Sequence, residues 1–275
     1  MVLVHYAGKG LNFKIKATND RGKVLLSYIT NHLAKSPEIF ALDAEVSDDT
    51  ILTGNVVPSG EYFPEEERSK QPTLFSLVRS IRDLFFSEES EQLGLYGSFG
   101  YDLTFQFEPV ELKKCRDESQ RDLLLYLPDE ILVVDNAKRD AWRLQYDFEG
   151  FGKSTHSIPR VEVDNSTSKF KFSPTNVAIQ RRDVLKGAYA KSVIKAKEEF
   201  RVGNLFEVVL SQVFREKLNV KPSTVFQRLC QRNPSPYGFF MNLGEDEYLV
   251  GASPEMFVRV EKVKYLFTAI IHCML

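Results

Sequence analysis

Gly203-Asn204-Leu205-Phe206-Glu207-Val208-Val209-Leu210-Ser211-Gln212, followed by Asn233-Pro234-Ser235-Pro236-Tyr237 and then Gly251-Ala252-Ser253-Pro254-Glu255, is the stretch in which strand patterns and candidate chemistry coincide. Leu205 to Val209 is a β-rich run with one acidic residue, Glu207, among apolar neighbours. Pro234 and Pro236 bracket Ser235 and impose an extended or turned backbone with few amide donors. Glu247 to Val250 reads as a short strand that breaks at Gly251, and Pro254 sets the backbone just ahead of Glu255. Glu207 and Glu255 thus occupy strand-rich, largely apolar positions. Burial there would favour their protonated forms and suit them to proton transfer. The alternative is that both are solvent-facing residues of half-exposed strands, and the pattern leaves the two readings open.

Outward from this stretch, helices alternate with strands. Arg182 to Val202 has a helical stripe of Leu185, Tyr189, Val193, Ala196 and Phe200, with Gly203 placed to end it as a left-handed cap. The strand around Glu207 is expected to follow at once. A shorter helix, Pro222 to Gln231, leads into the proline-bracketed segment. Phe239 to Leu243, Glu247 to Val250 and Met256 to Val260 read as a meander with a turn at Gly244-Glu245-Asp246.

Upstream, Asn12 to Ala17 alternates as a half-buried strand. Lys23 to Leu33 sets Leu25, Leu26, Ile29 and Leu33 on one helical face. Ile39 to Val46 and Thr50 to Val57 read as strands, Pro58 to Gln71 as a charged surface loop, and Thr73 to Phe86 as a second helix. Gly94, Gly97 and Gly100 lack the dinucleotide-binding spacing and point to tight packing against another backbone. Glu111 to Gln120 is a charged loop or short helix. Glu130 to Asp135 and Ala141 to Phe148 form a hairpin pattern, and Gly150 to Thr175 is polar enough to link two blocks. The fold class is α+β, mainly antiparallel sheets with packed helices.

With 43% hydrophobic and 27% charged residues, 275 residues are enough for one sizeable core or two smaller ones. A net charge of −2 without a basic tract gives no support for nucleic-acid binding. Cys115, Cys230 and Cys273 are odd in number and scattered, which fits neither a disulfide framework nor a zinc site and suggests a reducing compartment. Met1 to Tyr6 is too short and uncharged for a secretory signal. The longest apolar stretch, Tyr265 to Leu275, falls well short of the roughly 20 residues of a membrane span. A cytoplasmic chain is expected.

The three quoted segments, in this order and spacing, resemble the chorismate-utilising enzymes, most closely the large component of anthranilate synthase. Gly94-Leu95-Tyr96-Gly97-Ser98-Phe99-Gly100-Tyr101-Asp102 and Leu127-Pro128-Asp129-Glu130-Ile131-Leu132-Val133-Val134-Asp135 extend the resemblance upstream, toward the type with synthase and glutaminase fused in one polypeptide. The resemblance covers roughly positions 10 to 261. It implies the first half of the component I fold, with residues 1–150 as the N-terminal region, 151–178 as a polar linker, 179–261 as the start of a chorismate-binding domain, and 262–275 as an apolar tail outside the family pattern.

The implied chemistry is addition of ammonia to carbon 2 of chorismate as the carbon 4 hydroxyl departs, then loss of pyruvate to give anthranilate for tryptophan biosynthesis. Glu255 matches the carboxylate that protonates the departing hydroxyl. Glu207 stands where water-using relatives carry a lysine base and ammonia-using ones usually a glutamine, which implies an ammonia-side role. Pro236 and Tyr237 match the segment that contacts the inhibitor tryptophan, with Gly238 where methionine or serine is more usual. The implied partners are chorismate, a glutaminase domain or subunit that supplies ammonia, and tryptophan as inhibitor.

Family members use Mg2+, but its glutamate ligands lie in a second half that follows a Pro-Ile-Gly-Thr-like segment. This chain ends before that half, so no metal is expected to bind it and it is expected to be inactive alone. The tail reads either as an ordinary buried strand or as sequence past a frame change. An aminodeoxyisochorismate synthase-like enzyme and a non-catalytic assembly fragment are the alternatives.

Overall fold

The computed structural model describes residues 1–6, 9–43, 50–108, 110–111, 116–161, 181–256, 259–261 and 264–266. The chain divides into two compact units, residues 1–164 and 165–275. Antiparallel sheets and helices make up both, as an α+β chain should.

The first unit opens with β1 (Val2–Tyr6) and β2 (Asn12–Lys16), then α1 (Asp20–Leu33), β3 (Phe40–Leu42), β4 (Ile51–Val56), α2 (Leu74–Leu84), β5 (Tyr96–Phe99) and β6 (Arg121–Tyr126). Its six strands pair antiparallel in the order β3-β4-β2-β1-β6-β5. Cross-strand partners share a face, and the register sets Leu3 opposite Ile15 and Leu125, and Ile15 opposite Leu52. These four, with Phe13, Val56 and Leu123, form the buried floor of the core. Leu25, Leu26, Ile29 and Leu33 of α1 and Leu74, Leu77 and Ile81 of α2 are buried in the same core. Each helix starts on a side-chain cap: Asn19 Oδ1 accepts from the Gly22 amide at 2.8 Å, and Thr73 forms a capping box with Ser76. The loop expected at Pro58 to Gln71 contains a 3-10 helix at Glu65–Lys70, and the strand expected to run to Val46 is described only as β3.

Gly97 explains why a glycine-rich segment can serve as an edge strand. A Cβ there would lie 1.9 Å from the Leu124 carbonyl oxygen, inside backbone that cannot retreat without opening β5 from β6. Gly100 also abuts backbone, its amide donating to the Asp122 carbonyl at 2.6 Å, whereas Gly94 has open space.

Next come β7 (Glu130–Asp135) and β8 (Asp140–Gln145), the expected hairpin, and a second small hairpin of β9 (Glu149–Gly150) and β10 (Lys153–Ser154). Residues 151–160 fall in the expected linker, yet they are tied into this unit by Arg21, whose side chain is 2% exposed. Its Nε donates to Asp129, Nη1 to the carbonyls of Thr155 (2.7 Å) and Ile158 (2.9 Å), and Nη2 to the Tyr146 carbonyl (2.7 Å) and Asp147 Oδ1 (2.8 Å). All five N–H donors of the guanidinium are used. These bonds hold the Asp147 carboxyl below its usual range against the opposing effect of burial, with Arg160 adding to the shift.

His5 on β1 is buried, and its Nδ1 lies 2.6 Å from the Asn12 carbonyl. Burial, helped by the Arg116 charge, pushes the imidazole below its ordinary value of 6.5, while the Asn12 carbonyl and Asp122 pull the other way. The folded chain therefore binds this proton less readily than the unfolded chain. Stability is complete above pH 6.5 and falls as the pH drops from 6.5 toward the folded pKa, by at most about 1.4 kcal/mol per pH unit. Urea unfolding followed by the single tryptophan, Trp142 on β8, is expected to show this loss as the pH falls below 6.5. His5→Gln should flatten the profile; an unchanged slope would assign the effect elsewhere.

The second unit contains α3 (Ala188–Arg201), α4 (Pro222–Arg232), β11 (Tyr237–Gly244), β12 (Glu247–Ser253), β13 (Arg259–Glu261) and β14 (Lys264–Leu266). α3 starts later than its stripe suggests. Arg182 is held extended in a bridge to Phe214, with its guanidinium 5.6 Å from the centre of that ring, and Gly187 takes a φ of 84° just before the helix. Its end is as expected: Gly203 donates to the Phe200 carbonyl at 3.1 Å and Asn204 to Glu199 at 2.9 Å, the paired bonds of a Schellman motif. Leu185 in the predicted stripe is 85% exposed, and Ala196 is the buried member.

β11 and β12 form an antiparallel hairpin with α4 against it, Phe226 stacking on Phe240 and Phe240 on Tyr248. Gly251 does not break the strand. β12 runs through it to Ser253 because the Phe239 ring lies across the position, where a Cβ would come within 2.1 Å of that ring. The expected three-stranded meander is also not found among the described residues: β13 pairs with β14 in a separate two-stranded sheet. Part of the tail is therefore strand, while 267–275 lie outside the described residues.

Candidate functional site

The geometry centres on the end of β12. Tyr237 is the register partner of Ser253, so the proline-bracketed segment and the Ser253-Pro254-Glu255 segment lie side by side. The Ser235 hydroxyl donates to the Ser253 carbonyl. Ser253 Oγ accepts from the Glu255 amide at 3.2 Å and donates to the Glu255 carbonyl at 2.9 Å, closing a serine turn around Pro254. The Tyr237 hydroxyl points at Met256 Sδ, 3.4 Å away. Glu255 is thus exposed at a turn fixed on both sides, with its carboxylate open to solvent.

Glu207 is placed differently. The strand expected at Leu205 to Val209 is absent among the described residues, since no strand there lies beside it to accept its hydrogen bonds. Phe206 is 92% exposed and Val209 84%, so the apolar neighbours that could have buried Glu207 are themselves in solvent. Glu207 is exposed as well, so of the two readings left open by the sequence the solvent-facing one describes both carboxylates. No hydrogen bond or ion pair among the described residues joins it to the Glu255 turn.

Pro236 and Tyr237 are exposed at the start of β11, and Tyr237 is only partly covered, at 39% exposure. Gly238 faces α4: a Cβ there would meet the Phe226 ring at 3.5 Å and Cys230 Sγ at 3.9 Å, ordinary contact distances. Among the described residues, no three His, Cys, Asp or Glu side chains converge as metal ligands would, so the described residues do not make a magnesium site. No described helix is long and apolar enough to cross a membrane.

The sequence reading passed over the roles of Ser235 and Ser253. The signal was present in the Ser-Pro-Glu spacing, which suits a serine turn, and in a serine held between two prolines opposite it.

A family model described as chorismate binding enzyme matches residues 39–271. The chain belongs to this family. The family match continues into the tail that was expected to lie outside its pattern. A protein of Azospirillum brasilense named anthranilate synthase is 40% identical over 94% of this chain. Anthranilate synthase component 1 of Haemophilus influenzae is 27% identical over 93% of it, and a chloroplastic anthranilate synthase alpha subunit of rice is 28% identical over 69%. The chain spans 34%, 50% and 36% of those family proteins, respectively.

Proposed function

We propose that this chain is part of an anthranilate synthase and that it carries the proton donor for amination of chorismate. The observation that carries the reading is the 40% identity, over 94% of the chain, to the Azospirillum protein of that name. On this reading the fold is the first half of component I, with 1–150 as its N-terminal region and 179–261 as the opening of its chorismate-binding part, working in the cytoplasm.

Glu255 is the general acid. Ammonia forms a bond to carbon 2 of chorismate while the carbon 4–oxygen bond breaks, and the proton from Glu255 lets the oxygen leave as water rather than as hydroxide. Loss of pyruvate then gives the aromatic ring. An exposed side chain on a fixed turn suits this role because substrate can reach it, and bound substrate would shield the carboxyl from water and favour its protonated form. Glu207 lies on the ammonia side, where a nucleophile that already has its lone pair has little need of a base. A glutaminase supplies the ammonia, and tryptophan inhibits through Pro236, Tyr237 and Gly238. Magnesium, when bound in such enzymes, neutralises substrate carboxylates; the described residues do not form its site.

The test is a hybrid in which this chain replaces the matched segment of the Azospirillum protein. Supplied with chorismate and an ammonium salt, it is expected to form anthranilate, detected by fluorescence and product mass. A product that retains the pyruvyl carbons, or no product from a folded hybrid, would overturn the reading.

A further inference from the structure

Glu255 projects from a turn that could swing freely, because two residues beyond β12 have no strand partner to hold them. The structure instead holds this turn at three points. Ser253 Oγ engages both the amide and the carbonyl of Glu255, at 3.2 and 2.9 Å. The Ser253 carbonyl is held by the Ser235 hydroxyl, which reaches across from the segment leading into β11. Beyond Glu255, Met256 Sδ meets the Tyr237 hydroxyl at 3.4 Å. Pro234 and Pro236 fix φ on either side of Ser235, so its hydroxyl is presented with little conformational freedom.

We propose that Ser253 is a positioning residue for Glu255, and that Ser235 holds Ser253 in place from the proline-bracketed segment ahead of β11. This rests on the reading of Glu255 as proton donor. A donor is effective only within hydrogen-bond reach of the leaving oxygen, and displacement of a catalytic group by about 1 Å costs on the order of 100-fold in rate. The arrangement has a further meaning. Ser235 and Tyr237 flank Pro236 in the segment assigned to tryptophan, so a ligand that shifts this segment would move the Glu255 turn through two direct hydrogen bonds. The regulatory segment and the acid would then be mechanically one piece.

Two measurements test this. In the full chain, amide exchange by NMR is expected to speed up by about tenfold at Glu255 in Ser253→Ala, in proportion to the loss of one hydrogen bond, while β11 and β12 amides hold their rates. Unchanged exchange at Glu255 would overturn the proposal. In the hybrid enzyme, Ser253→Ala and Ser235→Ala are expected to lower kcat by about 10- to 100-fold with KM for chorismate unchanged, and Ser253→Thr, which keeps the hydroxyl, to restore most of it. If Glu255→Gln impairs the hybrid and the serine variants do not, positioning is refuted. If Glu255→Gln itself leaves kcat intact, the acid assignment fails instead, and the exchange rates still decide whether the serines hold the turn.

Discussion

Arg21→Ala is expected to destabilise the first unit by about 3 kcal/mol or more, seen as a fall in the urea midpoint of Trp142 fluorescence. The guanidinium is 2% exposed and satisfies two carboxylates and three carbonyls that come from four separate places in the chain: Asp129, Tyr146 with Asp147, Thr155 and Ile158. Alanine removes all five donors at once; Arg160 still reaches the Tyr146 carbonyl and Asp147, but Asp129 and the Thr155 and Ile158 carbonyls lose the guanidinium. Breaking a buried ion pair by deleting one partner costs about 3–5 kcal/mol. The lower end applies here, because Asp129 and Asp147 keep 24% and 36% of their side-chain surface in water. Against a total stability of about 5–15 kcal/mol, that loss is large. Arg21→Lys should recover only part of it, since an ammonium has three donors and lacks the planar fork that spans both carboxylates. A loss below about 1 kcal/mol in Arg21→Ala would show that residues 146–158 stay docked without the guanidinium.

Glu255→Gln, in the hybrid enzyme, is expected to lower kcat by about 10²- to 10⁴-fold with little change in KM. The substitution keeps size and shape and removes only the transferable proton. The backbone bonds of the turn, from Ser253 to the Glu255 amide and carbonyl, are untouched by it, so the loss cannot be assigned to unfolding of the turn. Chorismate consumption and anthranilate release should fall together. A loss of less than tenfold would remove Glu255 from the proton-donor role.

What the sequence revealed depended on how far each residue's partner lies along the chain. The apolar face of α1, the α2 stripe and the β7–β8 hairpin are complete within short windows, and each appears where its periodicity places it. Gly97 was legible as a close approach, although the surface approached, Leu124, was not. Arg21 was missed because its partners lie more than 100 residues away; the available sign was a charged residue one turn ahead of Leu25 on the buried face of α1. Leu205 to Val209 misled for the complementary reason. β propensity marks residues that suit a sheet, but a strand exists only where a neighbour takes up its hydrogen bonds. At the site, Ser253-Pro254-Glu255 singled out Glu255 but left its exposure open, and its fixation through Ser235 required the β11–β12 register.

The antiparallel order that sets Leu3 beside Leu125 also sets a timetable for folding. β1 is central in its sheet, yet one of its two neighbours is β6, and the Arg21 latch closes only with the Thr155 and Ile158 carbonyls. Long-range pairing of this kind slows folding, because loop-closure entropy is lost before the contacts compensate for it. During synthesis, at about 5–20 residues per second, the first unit cannot complete its centre until the segment through Ile158 has left the ribosome. Once β4 has covered β2, the β1 edge stays open until β6 arrives, and that interval is when this chain is most exposed to mispairing with a neighbour.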